Sequence, residues 1–317
     1  MIKNEFYYDS ADKMTKIHAV EWLPEGKPKA ILQIAHGVSE HILSYNDFAK
    51  YLVDKGIVVV GNDHIGHGTS LSPNKRAMHF GPKGSWKYVV EDANTCVKIM
   101  KEKYPDIPYC ILGFSLGSYL LRTYLIDYPE NIDAGIIMGT GQVPSFQIAL
   151  AKIVANNEAK KVGEDHTTPQ INKLTFGEYN KAFSPNRTPC DWLCSNNESL
   201  DKYLDDPLRG GDMSAGLFRE MLSGMAYTGK IKNISKMNKE IPLLFISGDM
   251  DLVGDKGKGV KKAISLYKKA GVKDTELKLY KDLRHDILHE VNCKEVFNDI
   301  YNWLERKVIK KSIIKKN

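Results

Sequence analysis

Tyr109-Cys110-Ile111-Leu112-Gly113-Phe114-Ser115-Leu116-Gly117 is the stretch on which the reading of this 317-residue chain turns. Its first four residues form a short apolar run of the kind that makes a strand buried on both faces. From Leu116 a helical pattern follows, with Leu116, Tyr119, Leu120, Thr123 and Tyr124 on one face. A serine lodged between strand and helix sits on a tight, strained turn that pushes its hydroxyl clear of the sheet. Glycines two residues to either side are required there, because a Cβ at Gly113 or Gly117 collides as the helix folds back against the strand. The helix also aims backbone N–H groups and the positive end of its dipole at the turn. The pattern predicts that Ser115 is a nucleophile.

Outward from this turn, strand-like runs alternate with helix-length amphipathic stretches, which predicts a mostly parallel α/β sheet covered by helices on both faces. The other runs are Ala30–Ala35, Ile57–Val60, Ala134–Met138, Pro242–Ile246 and Thr275–Tyr280, with helices expected at about 45–55, 86–103, 116–128 and 256–270 and a last one from about 290. The alternation breaks between about Gly141 and Glu240, where pieces such as Phe146 to Glu158 look helical and no sheet strand is evident. Trp192, Leu193, Tyr203, Leu204, Phe218 and Leu222 give that stretch too much apolar surface for a disordered linker. The expected organisation is a core of residues 1–140 and 241–317, with 141–240 as a helical cap over the carboxyl edge of the sheet.

A serine hydroxyl needs a histidine to take its proton, and the histidine needs an acid to orient it. On a strand–turn–helix of this kind the partners follow in the order acid, then histidine. Asp249 and Asp251, in Ser247-Gly248-Asp249-Met250-Asp251, both qualify by lying just past a strand, with Asp251 favoured and the other expected as a turn residue. Only His285 and His289 come later. His285 lies in a loop directly after the strand ending at Tyr280 and is expected to be the base. His289 falls one turn further on, where the last helix is expected to begin, and should support the loop or cap the helix. Acyl transfer also needs two N–H donors for the developing oxyanion. Leu116 supplies one as the residue after Ser115. Val38, in His36-Gly37-Val38 after the run Ala30–Ala35, is the candidate for the second, with Gly37 expected to give its loop an unusual backbone conformation.

Five segments in order resemble the monoacylglycerol lipase and lysophospholipase branch of the α/β-hydrolases, often labelled serine aminopeptidase-like. They are His36-Gly37-Val38-Ser39-Glu40-His41, Asp63-His64-Ile65-Gly66-His67-Gly68-Thr69-Ser70, Gly113-Phe114-Ser115-Leu116-Gly117, Gly248-Asp249-Met250-Asp251 and Arg284-His285-Asp286-Ile287-Leu288. The resemblance spans about residues 15–305 and implies an eight-stranded type of sheet with a helical cap. It places the triad acid on Asp251 and not Asp249, the base on His285, and an oxyanion amide on Val38. Phe176-Gly177-Glu178-Tyr179-Asn180, Asp191-Trp192-Leu193 and Asp206-Pro207-Leu208 resemble the cap of bacterial lysophospholipase-like members. Phe114 departs from the histidine that many lipase members carry before the serine. The implied activity is hydrolysis of carboxylic esters, monoacylglycerols or lysophospholipids, through an acyl-enzyme and without a cofactor. Short-chain carboxylesterase and aminopeptidase or amidase activity use the same triad, and a non-catalytic scaffold is the remote alternative.

Composition narrows the field further. The apolar and charged fractions are those of an ordinary globular protein, and the net charge of +6 is mild. Nothing points to nucleic acid. The basic tail, Arg306-Lys307 through Lys310-Lys311 to Lys315-Lys316 with Val308, Ile309, Ile313 and Ile314, is expected to be the solvated, fraying end of a final helix. A membrane-surface role for the tail or the cap is the alternative. Met1-Ile2-Lys3-Asn4-Glu5-Phe6 has no apolar core of a secretory signal, and the five cysteines form no disulfide framework, so a cytoplasmic location is expected. Cys190 and Cys194 have the spacing of one helix face. Asp63, His64 and His67, with His36 and His41, superficially echo a metal cluster, but turn chemistry explains them and no metal is expected. A peptidase needs an acid to hold an amino terminus, for which Glu40, Glu158, Glu164 and Glu178 are available.

Overall fold

A computed structural model of the chain describes residues 1–312 apart from 73, 75 and 176. The six runs read as strands all form strands; five are apolar throughout and covered on both faces, while the sixth, Thr275–Tyr280, is a half-buried edge strand. They are β3 (Ala30–Ala35), β4 (Ile57–Asn62), β5 (Tyr109–Phe114), β6 (Ala134–Met138), β7 (Leu243–Gly248) and β8 (Thr275–Tyr280). Two more, β1 (Ile2–Asp9) and β2 (Lys16–Leu23), precede them and complete a single sheet of eight in the order β1-β2-β4-β3-β5-β6-β7-β8. β2 runs antiparallel to both its neighbours, and from β4 to β8 every pairing is parallel.

Helices cover both faces of this sheet. α1 (Asn46–Val53) and α10 (Cys293–Leu304) lie over one face, where Phe48, Leu52, Phe297 and Trp303 pack against Leu32, Val59, Leu112 and Ile246. α2 (Trp86–Lys103), α3 (Leu116–Asp127) and α9 (Lys258–Lys269) lie over the other, where Val89, Leu121 and Tyr267 pack against Ile31, Val58 and Phe245. Between β6 and β7 the chain leaves the sheet and forms α4 (Ser145–Val162), α5 (Pro169–Thr175), α6 (Asn197–Asp205), α7 (Ala215–Thr228) and the single turn α8 (Ile231–Ile234). Among the described residues this insertion contributes no strand. No described helix is long and apolar enough to cross a membrane.

The last helix begins at Cys293, close to the expected start, and runs on through a π-turn over Glu305–Ile309. Two expectations need correction. That stretch does not fray: Val308 and Ile309 are buried in the core beside α10, Arg306 pairs with Glu276, and Lys307 pairs with Asp274 and Glu276. Ile313, Ile314, Lys315 and Lys316 of the tail lie outside the described residues, as does Phe176 of the cap motif. Cys190 lies in a turn and Cys194 just after it, neither on a helix, and all five cysteines are free thiols.

Candidate active site

The sheet order reverses at β3, whose neighbours β4 and β5 lie on opposite sides, so the loops after β3 and β5 diverge and leave a crevice at the carboxyl edge. Ala35 pairs with Gly113, which sets the His36–Val38 loop beside the turn at Ser115. Ser115 has φ 51° and ψ −113°, a left-handed conformation that a non-glycine residue holds only when its surroundings enforce it. The enforcement is visible. Its amide donates to the Met138 carbonyl at 3.0 Å, and the helix folds back so closely that a Cβ on Gly113 would stand 2.2 Å from the Gly117 carbonyl oxygen. A Cβ on Gly117 would stand 1.9 Å from that of Ala35.

Three loops from three strands meet here. Ser115 Oγ lies 2.9 Å from His285 Nε2, and His285 Nδ1 lies 2.9 Å from Asp251 Oδ1. Asp251 follows β7 and is wholly buried, His285 follows β8 and is 1 % exposed, and Ser115 is half-buried. Burial would raise the Asp251 carboxyl, but His285, through its hydrogen bond and the positive charge it carries when protonated, with hydrogen bonds from Ser247 Oγ (2.8 Å) and the Val253 amide (2.9 Å), brings it below the ordinary value. An ionised Asp251 holds a proton on Nδ1, so Nε2 presents its lone pair to the serine hydroxyl. Among the described residues Asp249 accepts the Asp282 amide alone, at 2.8 Å, as a turn residue does.

The loop after β3 differs from expectation at Gly37, whose φ is not positive. Glycine is needed there for space: a Cβ would lie 2.8 Å from Glu40 Oε1 and 3.1 Å from the Phe114 ring. Ser39 takes the left-handed conformation instead, at φ 59°. The Glu40 carboxylate accepts the Gly37 amide and the Tyr45 hydroxyl, which leaves Val38 as the next amide along the loop. Leu116 is the first residue of α3, so its N–H has no acceptor within the helix. His36 Nε2 accepts the His64 amide at 3.0 Å, which puts its proton on Nδ1, donated to the Gly37 carbonyl at 2.6 Å. Burial pushes His36 well below its usual value, His64 to about 3 and His67 to about 4, so these rings are neutral struts. Asp63 is occupied by His18 and by the Ile42 and Thr69 amides. Among the described residues no three His, Cys, Asp or Glu side chains are grouped as metal ligands would be.

His289 lies in the loop before α10 rather than on the helix. It donates from Nδ1 to Asp286 Oδ2 (2.8 Å) and from Nε2 to the Ser44 carbonyl (2.9 Å). Two acceptors require two protons. Burial opposes that charge, but Asp286, these bonds and Glu40 raise the imidazole to about 10. The pair ties the His285 loop to the loop leading into α1. Two rings that the sequence motifs contain, but without a place beside the histidine, flank His285: Phe114 at 4.9 Å and Trp192, from the insertion, at 5.3 Å between centroids.

The same fold recurs in solved proteins. A thermostable carboxyl esterase from Bacillus coagulans in complex with glycerol superposes with a TM-score of 0.89 at 25 % identity, covering 97 % of this chain and 99 % of that one. A soluble variant of monoglyceride lipase from Saccharomyces cerevisiae, bound to a substrate analogue, gives 0.74 at 20 % identity, with 97 % and 96 % covered. In sequence, a monoacylglycerol lipase of Mycolicibacterium smegmatis is 25 % identical over 291 residues, 89 % of this chain and 90 % of that protein. The monoglyceride lipase of Homo sapiens is 25 % identical over 290 residues, 90 % and 86 % of the two chains. Residues 26–292 match the family model for serine aminopeptidase, S33, and by that match over most of its length the chain belongs to this family of α/β-hydrolases.

Proposed function

We propose that the chain is a serine carboxylic-ester hydrolase whose preferred substrates are monoacylglycerols. The observation that carries this is the hydrogen-bonded series Asp251–His285–Ser115 at the carboxyl edge of the sheet, with both links at 2.9 Å. His285 takes the Ser115 proton as the serine oxygen attacks the ester carbonyl. The Val38 and Leu116 amides receive the oxyanion, and Asp251 steadies the imidazolium. The tetrahedral intermediate collapses, the glycerol oxygen leaves with the proton from His285, and water activated by the same histidine releases the fatty acid and restores Ser115.

The substrate class rests on the named relatives, and on glycerol in the esterase complex, the alcohol that a monoacylglycerol would release. The four acids open to an amino-terminal substrate are otherwise engaged, which weighs against a peptidase. Glu40 holds the Gly37 amide, Glu158 pairs with Lys161, Glu164 with Arg219 and Glu178 with Lys181. We read 141–240 as a cap whose first helix faces the lipid phase, since α4 exposes Phe146, Leu150 and Ile153 along one side.

The deciding experiment is kcat/KM across p-nitrophenyl esters of rising chain length, monoacylglycerols, lysophospholipids and aminoacyl amides. A maximum on monoacylglycerols is expected. A maximum at acetate or butyrate would make the chain a general esterase, one on lysophospholipids a lysophospholipase, and one on aminoacyl amides a peptidase.

A further inference from the structure

His285 is held from both sides of the molecule, and one side is the insertion. Phe114, at the end of β5, packs on the imidazole from within the sheet. Trp192, only 6 % exposed, packs on it from the insertion with its ring tilted 30° to the imidazole. The segment carrying Trp192 is bonded to the histidine's own loop at every step around it. The Asp286 amide donates to the Leu193 carbonyl at 2.7 Å. The Arg284 guanidinium donates to the carbonyls of Asp191 and Cys194, the latter at 3.2 Å, and lies over the Phe183 ring. Glu290, wholly buried, accepts the Arg284 amide on one oxygen (2.9 Å) and the Ser195 amide (2.9 Å) and hydroxyl on the other.

We propose that residues 191–195 of the insertion form a latch on the catalytic-histidine loop, with Trp192 as a positioning residue for His285. The inference rests on the reading of His285 as the base. A loop after a sheet strand has few contacts of its own to fix an imidazole against a serine on another strand. A buried carboxylate shared between the two segments makes any movement of one leave polar groups of the other unpaired, which is costly out of water. Trp192 then excludes water from one face of the imidazole and blocks rotation of the ring away from Ser115. Displacing the insertion would therefore remove the wall that aligns the base.

The test measures kcat and KM on p-nitrophenyl butyrate, and the rate of Ser115 labelling by a fluorophosphonate, in wild type, Trp192→Ala, Trp192→Phe, Ser195→Ala and Glu290→Gln. Misplacing a base by a fraction of an ångström lowers the rate without weakening binding, so Trp192→Ala is expected to lose kcat by about tenfold or more with KM within about threefold. Labelling should slow in parallel, and Trp192→Phe should recover most of the loss. Ser195→Ala and Glu290→Gln, which leave the indole in place, should lower kcat by roughly two- to fivefold by loosening the latch. Wild-type kcat and labelling in Trp192→Ala, or a loss confined to KM, would overturn the proposal and leave Trp192 as a pocket wall. Should Trp192→Ala not fold, unchanged kcat in both Ser195→Ala and Glu290→Gln would overturn it equally. Failure of the wild-type protein itself to label at Ser115 would instead sink the hydrolase reading beneath.

Discussion

The Cβ position of Gly117 lies 1.9 Å from the carbonyl oxygen of Ala35. The helix that begins after Ser115 therefore rests on the end of β3 with no room for a side chain. That contact sets the serine against the His36–Val38 loop. Gly117→Ala must push the two apart or displace backbone, and should cost on the order of 3 kcal/mol in urea unfolding, with loss of esterase activity in whatever folds. Wild-type stability in this variant would mean that the end of β3 yields freely.

Asp251 and Asp249 are two residues apart and differ in what they hold. Asp251 accepts from His285, Ser247 and the Val253 amide, while Asp249 closes a turn. Asp251→Asn presents an amide to His285 and favours the wrong tautomer, so kcat should fall by roughly 10⁴. Asp249→Asn keeps an acceptor for the Asp282 amide and should change kcat less than about threefold. The reverse order of effects would transfer the acid to Asp249.

Much of this site was legible because its chemistry is local. The serine turn needs its glycines within the same few residues, the candidate acid follows the fully buried run of β7, and the candidate base follows the half-buried edge strand β8. The missing pieces depend on distant partners. β1 was not read because it is an edge strand with most of its residues exposed, and β2 because His18 and Glu21 interrupt its apolar pattern. Both are buried polar residues satisfied elsewhere in the fold, His18 by Asp63 and Glu21 by Lys103. Gly37 suggests an unusual backbone conformation, but its constraint is space beside Glu40 and the Phe114 ring, and the latter contact exists only once β3 and β5 are adjacent. Trp192 stands out in the sequence only as apolar cap surface and in the Asp191-Trp192-Leu193 segment, since nothing there reveals that it returns to the His285 loop.

His289 makes stability depend on pH in a definite direction. Its imidazole is raised to about 10 in the folded protein by Asp286 and its hydrogen bonds, against an ordinary value of 6.5. The folded state thus keeps a proton that the unfolded chain gives up above pH 6.5. The contribution is complete below that value and is lost as pH rises towards 10. His289→Gln should be less stable than wild type by roughly 1–3 kcal/mol at pH 6, with the difference shrinking steadily to pH 10. Urea unfolding of both proteins at several pH values checks this; a gap that grows with pH would show that the ring is neutral when folded.

Arg122 on α3 is wholly buried, and among the described residues the acceptors of its guanidinium are neutral. Its guanidinium donates to Thr140 Oγ1 (3.2 Å), the Gly141 carbonyl (3.0 Å), Gln142 Oε1 (2.8 Å) and the Thr228 carbonyl (3.3 Å), between the rings of Tyr119 and Tyr267. Thr140–Gln142 is where the chain leaves the sheet for the insertion, and Thr228 ends α7, the last long helix before it returns. One side chain therefore fastens both crossings to the helix that starts at Ser115. Arg122→Met keeps the stem but strands those acceptors, and should cost roughly 2–4 kcal/mol. Arg122→Lys keeps the charge but not the planar fan of donors and should fall between. If the arginine is what holds the crossings, trypsin under native conditions should cut Arg122→Met within 141–240 faster than wild type, ahead of any cleavage in the core. Equal loss of protection in both regions would show instead that Arg122 stabilises the fold as a whole and has no particular hold on the insertion.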